Sequence, residues 1–104
     1  MESLIRRVGR VGSQATMVLN GHFDLNSTRE FRDACRGVIK DAEIGEIVVD
    51  FSDVSFVDSM ALGMLIALRE LATAASKSVV LANGNWRVRR AFDLANFGKM
   101  FSIR

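Results

Sequence analysis

Apolar positions along the chain alternate between two periods. Leu4 to Arg10 and Thr16 to Leu19 read as strands, with Gly9, Gly12 and Ser13 supplying the hairpin turn that pairs them antiparallel. Asn20-Gly21 is expected to end the second run, leaving Gly21 to Leu25 as a connection. Phe31, Ala34, Cys35, Val38 and Ile39 then recur at the i, i+3, i+4, i+7, i+8 spacing of one helix face, with Arg29, Arg32, Asp33 and Arg36 elsewhere on the wheel. Ser27 and Glu30 stand at the spacing of a capping box, which predicts where this helix begins.

Glu46 to Phe51 is a β-branched run without alternation, the pattern of a central strand covered on both faces. A short apolar piece, Ser55 to Val57, meets Asp58-Ser59, and a long helix is expected from Met60 to near Ala74. Ser78 to Ala82 reads as a second buried strand. Asn83-Gly84-Asn85 leads into a third helix with Val88, Ala91, Phe92 and Ala95 on one face, and Lys99 to Ile103 into an edge strand. Strands alternating with helices after a hairpin predict an α/β fold: one domain over residues 1–104, a mixed β-sheet with an N-terminal antiparallel hairpin, and three to four helices.

Composition narrows the function more than the fold. With 49% hydrophobic and 25% charged residues and a mean hydropathy of +0.17, the chain has an ordinary globular balance. A chain of 104 residues buries a single core and leaves little room for a deep substrate cavity. One cysteine and one histidine, Cys35 and His22, allow neither an internal disulfide nor a zinc cluster, so no metal and a reducing compartment are expected. The most apolar stretch, Met60 to Leu68, falls far short of the ~20 residues a membrane crossing needs. The N-terminus lacks the pattern of an export signal, so a cytoplasmic protein without membrane insertion is expected.

The net charge of +2 conceals an uneven distribution. Carboxylates crowd Asp41 to Asp58, while cations dominate Ser76 to Arg104. Such polarity suits a charged protein partner better than nucleic acid, because no aromatic stacking series accompanies the basic residues. Cys35 lies on the apolar helix face and reads as a small hydrophobe. His22 reads as a solvated loop residue, since no nucleophile pattern accompanies it. Asp50 and Asp58 are separated by a strand and turn and make no acid–base pair by sequence. No Gly-x-x-x-x-Gly-Lys-Ser/Thr loop is present, and neither catalytic residues nor cofactors are expected.

The segment Val48-Val49-Asp50-Phe51 through Val57-Asp58-Ser59-Met60-Ala61-Leu62-Gly63 resembles the STAS family, the sulfate transporter and anti-sigma factor antagonist domains. That family's hallmark is a buried strand followed by Asp-Ser-Ser/Thr-Gly/Ala-Leu-Gly at a helix start. Gly21-His22-Phe23-Asp24 matches its earlier Gly-x-x-Asp motif, and Asn85-Trp86-Arg87-Val88-Arg89-Arg90-Ala91-Phe92 its late segment. The resemblance implies a regulatory module that binds an anti-sigma factor of the serine kinase type through Asp24, Asp58, Ser59, Met60 and Trp86. It leaves room for a weak homodimer.

In such antagonists the second hydroxyl of the motif is the phospho-acceptor, and here that position is Met60. A thioether accepts no phosphate, so Ser59 is left as the candidate phosphorylation site, unless the domain is locked in its binding form. A hydroxyl followed by a non-hydroxyl also resembles the STAS accessory subunits of membrane lipid-transport ATPase complexes. Trp86 reads either as core packing or as an exposed anchor beside this turn.

Overall fold

Two glycines decide how the chain enters its sheet. The computed structural model, which describes residues 3–104, turns β1 (Ile5–Val11) into β2 (Gln14–Phe23) through Gly12-Ser13. Gly12 takes a φ of 61°, as the first central residue of a type II′ turn requires. Asn20-Gly21 does not end β2. Gly21 adopts a φ of 79°, the pairing register shifts on either side of it, and the strand runs on to Phe23. A residue without Cβ absorbs this bulge without steric cost.

The extension matters because β2 runs parallel to β3 (Glu46–Val57), paired across those shifts from Gln14 opposite Glu46 to Phe23 opposite Val57. Ser55 to Val57 is therefore the end of β3 and not a separate piece. Beyond it come β4 (Ser78–Ala82) and β5 (Ser102–Ile103), both parallel to their neighbours, in the order β1-β2-β3-β4-β5. Three helices make the connections: α1 (Thr28–Lys40), α2 (Ser59–Ala74) and α3 (Trp86–Leu94). The last strand is shorter than expected because Phe97–Lys99 forms a 3-10 turn.

β3 is central, as its composition predicts, but only one of its faces is sealed. Ile47, Val49 and Phe51 are fully buried, whereas Val48 and Asp50 on the opposite face are half-buried. Phe51 meets Phe23 and Phe92, Phe23 meets Phe31, and Phe92 continues to Phe97 and Phe101, giving an aromatic chain from α1 to the last strand. Tilted and edge-on ring contacts of this kind add to the burial of the rings. Asp50 shows how the other face is used. Burial opposes its ionisation, yet hydrogen bonds from Ser52 and Asn83 and the charge of Arg7 outweigh it and hold the carboxyl below its ordinary range.

The carboxylates of Asp41 to Asp58 do not form a separate negative pole. Arg6 pairs with Asp53 at 2.9 Å, Arg10 with Glu43 at 2.5 Å, and Arg104 with Glu46 at 3.9 Å. These pairs are exposed or, at Glu46, half-buried, so each is worth roughly 0–1 kcal/mol. Lys77 is the exception among the cations: it is buried, and its Nζ donates to the carbonyls of Asp41 and Ile44, which follow α1.

The expected capping box of α1 is replaced by a different arrangement. Leu25–Ser27 forms a 3-10 turn ahead of the helix, capped by Asp24, and Ser27 Oγ donates to the His22 carbonyl instead of capping α1. Glu30 is thereby free to reach the start of β1, where it accepts from the amides of Leu4 and Ile5 at 2.8 Å each and from Ser3 Oγ. Burial works against its ionisation, but these three donors together hold its carboxyl below the usual range.

A folded pKa below the unfolded value means that this contribution is complete above the ordinary Glu value of ~4.3 and fades as pH falls through the folded one. Glu30→Gln removes the charge and turns a donor toward a donor. It is expected to cost about 1–2 kcal/mol at neutral pH and to give a shallower acid-side loss of stability than the parent. Urea unfolding from acid to neutral pH checks both. Equal stability at neutral pH would show that Glu30 does not hold β1 to α1.

Candidate functional site

Because β2, β3 and β4 are parallel, their carboxyl ends lie along one edge of the sheet, and the three loops that follow carry the family motifs. Such edges are where open α/β sheets place ligands. At its centre Asp58 caps α2. Its Oδ1 accepts from the Ala61 amide at 2.8 Å, and its Oδ2 accepts from the Leu25 amide at 3.1 Å in the neighbouring loop. The Asp58 amide in turn donates to the Phe23 carbonyl at 3.3 Å. One side chain thus binds the loop after β2 to the loop after β3.

Asp24 belongs to the same arrangement. Its Oδ1 accepts from Asn26 at 2.9 Å and its amide donates to Ser27 Oγ at 3.4 Å, so this carboxylate holds its own turn. Asn85 plays the corresponding part for the third loop: its side-chain oxygen accepts from Arg87 and Val88 at 3.0 Å each, and its Nδ2 donates to the Val54 carbonyl at 3.1 Å. Asn85 therefore caps α3 and ties it to β3. The sequence reading missed this role, although Asn before a helical run is a standard N-cap signal.

Ser59 and Met60 follow Asp58 as the first residues of α2, and both are exposed. Trp86 opens α3 and is 69% exposed, which settles its reading against core packing. The Arg87 guanidinium lies 5.2 Å from its ring centroid. Among the described residues, no hydrogen bond or ring contact joins Trp86 to Asp58, Ser59 or Met60. What links the start of α3 to β3 is Asn85, bonded to Val54, and a hollow of about 270 Å³ lined by Phe56 and Val57 on β3 and Arg87 and Val88 on α3.

Two further exposed apolar residues belong to this edge and were not singled out from the sequence. Leu25 is 61% exposed and Phe56 is 48% exposed, the latter with its ring 5.6 Å from His22. Six of the seven phenylalanines enter the internal aromatic chain, and Phe56 alone points out. His22 itself is a strand residue of β2 paired with Phe56, not a loop residue. Leu25, Phe56, Met60 and Trp86 are thus four large apolar side chains exposed at this end of the sheet.

Among the described residues, no three His, Cys, Asp or Glu side chains gather as metal ligands. Cys35 is on the buried face of α1, and burial pushes its thiol up to about 12, so little thiolate forms at neutral pH. Among the same residues no helix is long and apolar enough to cross a membrane.

A family model described as "Mlab, STAS domain" matches residues 7–103. A STAS-domain containing protein of Pseudomonas aeruginosa is 35% identical over 92 residues, covering 88% of this chain and 89% of that protein. The crystal structure of an anti-sigma factor antagonist from Mycobacterium paratuberculosis superposes with a TM-score of 0.78 at 24% identity, covering 93% of this chain and 81% of that one. The anti-sigma factor antagonist SpoIIAA in its unphosphorylated form gives 0.73 at 18% identity, covering 94% of this chain and 86% of its own. At these identities the two structures establish a shared fold.

Asp58→Ala removes an N-cap and leaves the Leu25 amide without its acceptor. The expected cost is about 1–2 kcal/mol, while Asp58→Asn, which keeps an oxygen for the cap, loses less than half of that. Chemical denaturation of the three proteins measures both values. An Asp58→Ala protein as stable as the parent would show that the loops do not depend on this carboxylate.

Proposed function

This chain belongs to the STAS domain family, and from that premise we infer that it is a regulatory protein-binding module of the anti-sigma factor antagonist kind. Its partner is an anti-sigma factor with serine kinase activity, and binding that partner frees a sigma factor. Any catalysis belongs to the partner. The observation that carries this reading is the apolar edge of Leu25, Phe56, Met60 and Trp86, exposed at strand and helix ends that Asp24, Asp58 and Asn85 hold in place. Large exposed side chains on a rigid frame lose little conformational freedom when a partner covers them.

Met60 gives this module a specific character. The position that would carry the phospho-accepting hydroxyl instead adds a half-exposed thioether to the apolar edge. Phosphate can enter the motif only at Ser59, at the start of α2, beside Asp58. Without modification there, the protein stays in its binding form.

The same Met60 supports a second reading, an accessory subunit of a membrane lipid-transport ATPase complex, in which a STAS domain binds permanently and never switches. Capture of partners by the tagged chain at native expression, identified by mass spectrometry, separates the two. Recovery of an anti-sigma serine kinase supports the first; recovery of a transport ATPase in its place overturns it.

With the captured partner purified, Trp86→Ala is expected to weaken binding by at least about tenfold, ~1.4 kcal/mol, with an unchanged thermal midpoint because the indole is exposed. Ser59→Asp is expected to do the same, since a charge desolvated in an interface without a matching cation is costly. Calorimetric titration reads both, and full affinity in both variants would remove this edge from the interface. Met60→Ser, incubated with the kinase and ATP, is expected to gain phosphate that the parent does not take up; equal incorporation in the two would show that Ser59 or another residue already serves.

A further inference from the structure

A second surface lies away from the carboxyl edge, along the groove between α1 and α2. It is an open cleft of about 370 Å³ whose floor includes Phe31, Cys35 and Leu68, all buried. One wall is a ridge of α2, Met64, Leu68 and Leu71, at the i, i+4, i+7 spacing of a helix face, and Leu71 is 50% exposed. The other wall is cationic. Arg32, Arg36 and Lys40 all line the cleft from α1, at i, i+4 and i+8.

Eight residues of helix span ~12 Å, so these three charges form a line about two turns long beside the apolar ridge. Arg36 has a weak contact with Asp33 at 4.0 Å, while Arg32 and Lys40 make no ion pair among the described residues. The lining contains no carboxylate.

We propose that this groove docks an amphipathic helix of a partner protein, one whose apolar face lies on Met64 and Leu71 and whose flank carries carboxylates one turn apart opposite Arg32, Arg36 and Lys40. The length of the charged line selects this occupant. A fatty acid of similar volume brings one carboxylate and leaves two cations unmatched, whereas acidic residues at i, i+4 and i+8 of a helix meet all three. Helix-in-groove binding draws its affinity from the apolar ridge, and its orientation and selectivity from such charge rows.

The groove is independent of the carboxyl edge, so it is tested without the regulatory partner. The probe is a fluorescent helical peptide with leucines at i, i+3, i+4 and i+7 and glutamates along one flank; its twin carries lysines in place of the glutamates. The acidic peptide is expected to bind at least about tenfold more tightly than the basic one. Arg32→Glu combined with Arg36→Glu, both exposed substitutions, is expected to reverse that order. Amide chemical shifts should move at Arg36, Met64 and Leu71 and stay fixed at Ser59 and Trp86. Equal affinity for the two peptides, no binding of either, shifts confined to the carboxyl edge, or palmitate displacing the acidic peptide from the groove would each overturn the proposal.

Discussion

The two oxygens of the Asp58 carboxylate serve different elements: Oδ1 takes the Ala61 amide that opens α2, and Oδ2 takes the Leu25 amide that follows β2. Amides at a helix start have no intrahelical acceptor, so a short carboxylate at this position satisfies one of them and, with its other oxygen, anchors a second chain segment. The reach is possible only because β2 and β3 end opposite each other, Phe23 beside Val57. That coincidence depends in turn on the bulge at Gly21, which lets β2 continue where its sequence suggests a stop. Asn85 repeats the arrangement one strand further on, capping α3 while bonding Val54. With no proline in the chain to preset a helix start, these side-chain caps carry the whole geometry of the edge.

The core explains why this edge is free to present apolar residues. Phenylalanines from α1, β2, β3 and α3 meet in one chain of ring contacts that closes the helical face of the sheet. Phe56 lies beyond that chain, near the end of β3, and stays half exposed. Its exposure, with that of Leu25, Met60 and Trp86, is not needed for packing. The patch stands on a frame held by the side chains of Asp24, Asp58 and Asn85, and it is the surface on which the proposed partner binding rests.

Periodicity in the sequence located the three helices, the hairpin and β4, because each has a complete apolar pattern of its own. Where contacts between distant segments decide, the pattern was silent or misleading. Ser27 and Glu30 have capping-box spacing, but Ser27 is buried against His22, and Glu30 serves Leu4 and Ile5, which lie far from it in sequence. The unbroken run of Glu46 to Phe51 suggested two covered faces, yet one is left partly open with Asp50 on it. Of the candidate site, the motif residues Asp24, Asp58, Ser59, Met60 and Trp86 were recognised through family resemblance. Leu25 and Phe56 escaped notice because apolar residues in a short run look the same whether they face the core or the solvent.

The most direct measurement is amide hydrogen exchange of this chain, alone and saturated with the partner captured from its native source. Slowed exchange on binding is expected in the segments around Leu25, Phe56 to Met60 and Trp86 to Arg89, with β1 and the α1–α2 groove unchanged. Protection confined to β1 or to that groove, with the carboxyl edge exchanging as in the free protein, would contradict the assignment of this edge as the partner surface.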